Sequence, residues 1–143
     1  MLVASLTDLA PIVLFSAAIP GQGGEAHINE QWQDYWAERF AKKGYVTVDC
    51  IRPRVWTNPQ VQYWYAQNML LYVQGDQMGG YEDLKPDVLT DLKKSCMVHP
   101  GCYMQKLLEH AYAIDRDKVS LSKLLKLLPF AFRNALRRRT GTQ

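Results

Sequence analysis

The residues best equipped for chemistry gather around one short loop. His27 lies there, with Gln22, Asn29 and Glu30 close by in sequence. The imidazole can serve as general base or hold a substrate hydroxyl, and Asn29 and Glu30 can face the substrate. A plainer reading stays open. His27 can anchor its neighbours, while Asn29 caps the helix that follows and Glu30 sits in its first turn. Capping accounts for both residues without any ligand. Further along, Arg52 and Arg54 flank Pro53. Two guanidiniums at a strand end can clamp a phosphate or carboxylate, but ion pairing or solvation is their commoner fate. Cys96, His99 and Cys102 stand three apart, in the outline of a zinc site. No fourth ligand has suitable spacing and Pro100-Gly101 puts the trio in a turn, so no metal is expected.

The elements that must carry these residues can be read from hydrophobic pattern and punctuation. Leu2, Leu6 and Leu9 predict a short helix that Pro11 ends. Residues 12–19 form an apolar run of strand length, rich in β-branched residues, as expected of a strand buried on both faces. It stops at Pro20 and the glycines 21, 23 and 24. A helix is predicted over 30–43, with Trp32, Trp36 and Phe40 on one face and Gly44 as its stop. With Tyr35, these aromatics could form a platform for a planar substrate, although their spacing favours core packing. Residues 45–51 read as a strand, 59–65 as a short helical turn and 68–73 as a last strand. Trp56, Tyr63, Trp64 and Tyr65 line a pocket mouth or seal the sheet edge. Strands separated by a helix of this length suggest βαβ construction.

Composition sets outer limits. The 143 residues are 48% hydrophobic, enough to bury a core, so wholesale disorder is excluded. No apolar run reaches the ~18 residues of a membrane span, and the N-terminal stretch does not read as a signal peptide. Three irregularly spaced cysteines give no disulfide framework and suit a reducing cytoplasm. The charge is uneven. Residues 118–143 carry seven basic side chains and no acid, while the first 117 carry ten basic and fourteen acidic ones. Leu121, Leu124, Leu125, Leu128, Phe132 and Leu136 mark an apolar stripe through that basic tail. It reads either as a terminal helix packed on a domain or as a helix for an anionic membrane surface. Nucleic acid is not the expected partner, since no aromatics interleave for base stacking.

Two strings are distinctive. One runs Phe15-Ser16-Ala17-Ala18-Ile19-Pro20-Gly21-Gln22-Gly23-Gly24, then His27-Ile28-Asn29-Glu30-Gln31-Trp32. The other is Ile51-Arg52-Pro53-Arg54-Val55-Trp56, leading into Val61-Gln62-Tyr63-Trp64-Tyr65-Ala66-Gln67-Asn68. Together they resemble the C-terminal half of a class I S-adenosylmethionine-dependent methyltransferase, over about residues 1–73. The resemblance implies an α/β fold: the fifth to seventh strands of a Rossmann-like sheet, the seventh antiparallel, followed here by a helical tail. It implies methyl transfer, with the loop carrying Gln22, Asn29 and Glu30 on the acceptor side and His27 as the catalytic candidate.

The departure from the family matters as much. In that family the cofactor is held by a glycine-rich turn after strand one and acidic residues ending strand two, with a further acidic motif at strand four. Nineteen residues before Pro20 cannot supply these, and Gly21–Gly24 lacks the strand-then-G-x-G-x-x-G spacing. The expectation is therefore a truncated chain with no cofactor-binding residues, inactive alone, whether a gene fragment, an internal-start product or a half that needs a partner. Residues 1–73 form its partial methyltransferase-like domain, 74–91 a linker, and 92–143 a helical extension with a basic amphipathic helix. The alternative is a non-catalytic interaction module. It would use an open sheet edge to meet a protein partner or a second copy, and residues 118–143 to meet an anionic membrane.

Overall fold

The computed structural model describes residues 2–24, 27–114, 120–122, 125, 126, 128 and 129. The chain divides into two compact units, Met1–Met104 and Gln105–Gln143. The basic-tail reading turns on residues that lie mostly outside the described set.

The first unit is mixed α/β. Helix α1 (Leu2–Leu9) leads into strand β1 (Ile12–Phe15), followed by α2 (Gln33–Ala41) and β2 (Tyr45–Val48). Two short helices, α3 (Arg52–Val55) and α4 (Tyr63–Asn68), precede β3 (Leu70–Gln74). The three strands form one sheet in the order β1-β3-β2, with β3 antiparallel to both neighbours. β1 and β2 therefore run the same way, as a helical crossover requires, but the last strand is inserted between them.

Side-chain alternation gives the sheet two apolar faces. Val13, Leu70, Tyr72 and Tyr45 point to the face covered by α1 and α2, where they meet Val3, Trp36, Ala37 and Phe40. The Phe40 ring stacks on Tyr72 with centroids 3.8 Å apart, and Phe15 packs 5.0 Å from Trp36. Burial also pushes the Tyr72 phenol up from its ordinary pKa. Val48 and Val73 point to the second face, under Met78, Leu84 and Val88.

Several boundaries differ from the sequence reading, each for a local reason. β1 stops at Phe15 rather than residue 19, because the Ala18 carbonyl is taken by the Gln31 N–H and the Ile19 N–H by the Gln22 side chain. Helix α2 starts at Gln33 rather than at 30. Trp32 is its N-cap, with extended backbone, so Asn29 does not cap it and Glu30 is not in its first turn. Trp32 accordingly leaves the packed face and is 43% exposed. Gly44 ends the following turn as expected, at φ +80°, a conformation L side chains rarely adopt. β2 ends at Val48, α3 is an additional short helix, and the helical turn expected over 59–65 starts later, as α4 from Tyr63.

The stretch 74–91, read as a linker, is packed. It carries 3₁₀ helices at Gly75–Gly80 and Glu82–Asp87, and then runs along β2. The Asp49 N–H donates to the Asp87 carbonyl, and the Leu89 N–H to the Thr47 carbonyl. Pro100, read from the sequence as part of a turn, instead opens α5 (Pro100–Ile114), at the first-turn position where its missing N–H costs nothing.

The two sheet edges are thus unlike. The outer edge of β2 is bonded by 87–89. On β1, the Gln74 N–H reaches the Pro11 carbonyl, so Val13 and Phe15 also face β3, while the peptide groups of Ile12 and Leu14 face outward. Those outward groups meet no partner among the described residues, and the Leu14 side chain is 56% exposed.

The aromatic stack at Phe40 is the centre of the helix-covered face. Phe40→Ala is expected to cost about 3–5 kcal/mol in urea unfolding, and Phe40→Leu under about 1.5 kcal/mol. A cost for the alanine variant below about 1 kcal/mol would show that this face is held elsewhere.

Candidate functional site

The site is built on the segment that leaves β1, residues 16–31. The described residues of this segment have almost no regular structure, so side chains must hold them. Gln22 does most of that work. It is 8% exposed, and its Oε1 accepts from Gln67 Nε2 at 3.0 Å, from Asn68 Nδ2 at 2.7 Å and from the Ile19 N–H at 3.4 Å. From α2, Gln33 Nε2 donates to Asn68 Oδ1 at 3.2 Å and to the Met97 carbonyl at 2.9 Å. Gln67 Oε1 accepts from the His99 N–H at 2.8 Å.

Arg52 closes this network from below. Its side chain is 1% exposed and forks onto Asp49, Nε to Oδ1 at 2.8 Å and Nη2 to Oδ2 at 2.7 Å. Its Nη1 donates to the Ser95 carbonyl at 2.6 Å and the Gln67 carbonyl at 3.2 Å. The arginine is therefore neither a clamp for a ligand nor solvated; it is a buried structural ion pair. Arg54 points elsewhere, largely exposed, with its Nη1 3.6 Å from Asp87 and bonded to the Cys50 carbonyl. A surface pair of that length contributes little.

Above the network, the loop brings His27 and Glu30 together. His27 Nδ1 is 3.4 Å from Glu30 Oε1, and Glu30 Oε2 accepts from the Gly21 N–H at 2.9 Å. The Gly21 amide first, and His27 next among the favourable contacts, hold the Glu30 carboxyl below the usual carboxylate range. The His27 ring lies so close to Gly24 that a Cβ there would sit 2.5 Å from its Cε1. Glycine at 24 is thus a condition for this histidine position. Asn29 is exposed and its Oδ1 accepts from Gln31 Nε2, so it serves the loop itself.

His27, Asn29 and Glu30 line one end of a cavity of about 830 Å³, walled by α1, the end of β1 and α2. Phe15, Trp36 and Val3 contribute its apolar lining, and Tyr35 and Arg39 also border it. Chemically, the arrangement offers an imidazole backed by a carboxylate at the mouth of a mostly apolar space, the equipment for moving one proton on a substrate of moderate polarity.

The remaining sequence candidates fall away from this cavity. Trp56 and Tyr63 pack around His99, with centroids 4.6 Å and 6.3 Å from its ring, rather than lining a pocket mouth. His99 Nδ1 accepts from the Gly101 N–H at 3.0 Å, which leaves Nε2 to donate to the Trp56 carbonyl at 2.8 Å. Burial pushes the thiols of Cys50 and Cys96 up, the direction opposite to that of a reactive thiolate. Among the described residues, no group of His, Cys, Asp and Glu is arranged to hold a metal ion. No helix among them is long and apolar enough to cross a membrane.

Sequence reasoning placed His27 and Glu30 in the site but missed the support beneath it. Gln33, Gln67 and Asn68 passed as helix and strand residues. The available signal was the Gln67-Asn68 pair set between Ala66 and Met69, and Gln33 next to Trp32. Comparison with family models, curated proteins and solved structures returns no match.

Two outcomes test this construction. Arg52→Met is expected to destabilise the chain by about 3–5 kcal/mol in thermal or urea unfolding, because it strands the Asp49 carboxylate. Adding Asp49→Asn should recover only part of that, since the Ser95 and Gln67 carbonyls still lack their donor. A loss under about 1 kcal/mol for the single variant would remove Arg52 from this role. Glu30 supplies the second test. Its folded pKa is depressed, so its contacts are complete above the ordinary Glu value of about 4.3 and are lost as pH falls through the lower folded value. The Gly21 amide resonance should therefore shift at a pH below that ordinary value, and Glu30→Gln should abolish the transition. A Gly21 resonance unmoved by acid while the fold persists would contradict the contact.

Proposed function

We propose that residues 2–74 are the closing part of a class I S-adenosylmethionine-dependent methyltransferase sheet, and that this chain alone neither grips the methyl donor nor turns over. One observation carries the reading. β1 has the sequence of an interior strand, yet it lies at an edge whose outward peptide groups have no partner among the described residues, while the other edge is covered. An apolar strand with an open edge is a liability unless another strand pairs with it. The direction of β3, antiparallel to both earlier strands, agrees with what the resemblance implies for a seventh strand.

The described residues do not fit the cofactor. The turn at Gly21–Gly24 is no phosphate or nucleoside cradle: the Gly21 amide is spent on Glu30, the Gln22 amide on the Ile19 carbonyl, and the next helix begins only at Gln33. The donor-binding strands would have to come from chain outside these residues. In the assembled enzyme, the loop with Gln22, Asn29 and Glu30 would border the acceptor, and His27 would take the acceptor proton, oriented by Glu30. A cytoplasmic location belongs to the same proposal and suits three free thiols. The open β1 edge also serves the rival reading, a non-catalytic module that pairs with a partner strand.

Calorimetry of the chain with S-adenosylhomocysteine tests the proposal. No binding heat is expected at ligand concentrations up to about 100 μM, a range where a competent cofactor site would saturate. Micromolar affinity of this chain alone would overturn the reading.

A further inference from the structure

The cavity between α1, β1 and α2 has a charge pattern that the proton-transfer dyad does not use. Arg39, Lys42 and Lys43 all border it, the first from α2 and the two lysines from the turn that follows it. None of the three makes an ion pair among the described residues. Among the described residues that line the cavity, Glu30 is the one acid, and it is already engaged by the Gly21 amide and His27. The described lining therefore carries three cations to one carboxylate.

Arg39 is also held in place. Its guanidinium carbon lies 4.3 Å from the centroid of the Tyr35 ring. A guanidinium stacked over a ring gives its face to the π-system and keeps its in-plane N–H donors for a second partner. A planar oxyanion matches such donors, because the fork of a guanidinium binds it through two parallel hydrogen bonds. Below the cations, the lining turns aromatic and apolar. Phe15 and Trp36 pack 5.0 Å apart at 56°, an arrangement that presents ring edges and faces to a flat guest. A volume of about 830 Å³ exceeds what a two-ring acid needs and lies within the ordinary range of ligand sites.

We propose that this cavity binds an aromatic carboxylate, its rings against Phe15 and Trp36 and its carboxylate on Arg39, with Lys42 and Lys43 strengthening the local field. The inference rests on the cavity lining alone and is independent of the methyltransferase reading. If both hold, the acid is the class of molecule that His27 and Glu30 face.

The test compares naphthoate with naphthamide, which has the same rings and no charge, on the full 143-residue chain. Titrations are followed by amide NMR. Naphthoate should bind about tenfold or more tightly than naphthamide, since a charge-assisted contact contributes at least that much discrimination. Its shift changes should map to residues 15–18 and 35–43. Arg39→Gln, an exposed substitution that leaves the core alone, should bring the two ligands to within about threefold of each other. The proposal is overturned if naphthoate fails to bind at millimolar concentration, or if the two ligands bind equally to the parent chain. Shifts mapping elsewhere, or a preference that survives in Arg39→Gln, would overturn it as well. Calorimetry with S-adenosylhomocysteine reads the earlier proposal separately, so each can fail without the other.

Discussion

A single buried cation organises the polar half of this molecule. Taking a guanidinium out of water costs several kcal/mol unless its charge is paired and its nitrogens are hydrogen-bonded. Arg52 meets that demand with a two-pronged contact to Asp49 and with two backbone carbonyls, from Gln67 and Ser95. Those partners lie after β2, at the end of α4 and in the 3₁₀ helix Leu92–Ser95. The desolvation of Arg52 is therefore affordable only when three separate segments are docked at once. Solvation thus enforces a cooperative arrangement that apolar packing alone would leave loose.

From Arg52 the constraint passes upward through amides. Gln67 lends its backbone carbonyl to the arginine and its side chain to Gln22 and His99. Gln22 fixes the turn whose Gly21 amide grips Glu30, and Glu30 meets His27. The segment bearing the candidate dyad is irregular, and a loop of this kind must bond its backbone to something. Here the answer is a set of buried carboxamides, each able to donate and accept. Such a network tolerates few substitutions, because each lost member leaves a buried polar atom unpaired.

Much of the scaffold could be read from local pattern, because the signals there are local. Gly44 stops α2, the apolar runs mark the three strands, and Trp36 and Phe40 face the core as their spacing requires. The errors arise where partners distant in sequence decide. Asn29 looks like a cap, but its Oδ1 goes to Gln31 and the chain stays extended through Trp32. Arg52 looks like a surface clamp, because nothing nearby in sequence announces that Ser95 will come to it, forty-three residues on. Glycines at 75, 79 and 80 suggest slack, whereas the segment is tied to β2 through Asp87 and Leu89. His27 and Glu30 were visible as separate candidates; their mutual distance, and the placing of Arg39, Lys42 and Lys43 on the same cavity, depend on tertiary geometry that no spacing rule encodes.

The central position of β3 has a consequence for how the chain comes to be folded. Both ladders of the sheet run through this strand, and β1 and β2 share no hydrogen bond with each other. During synthesis, neither β1 nor β2 can complete its pairing in this sheet until residues 70–74 emerge. Nucleation then demands closing loops of some sixty and twenty residues in one step, so the sheet assembles late and all together. The vulnerable interval for a nascent chain is the one before its third strand arrives, and chaperone engagement would be most useful there.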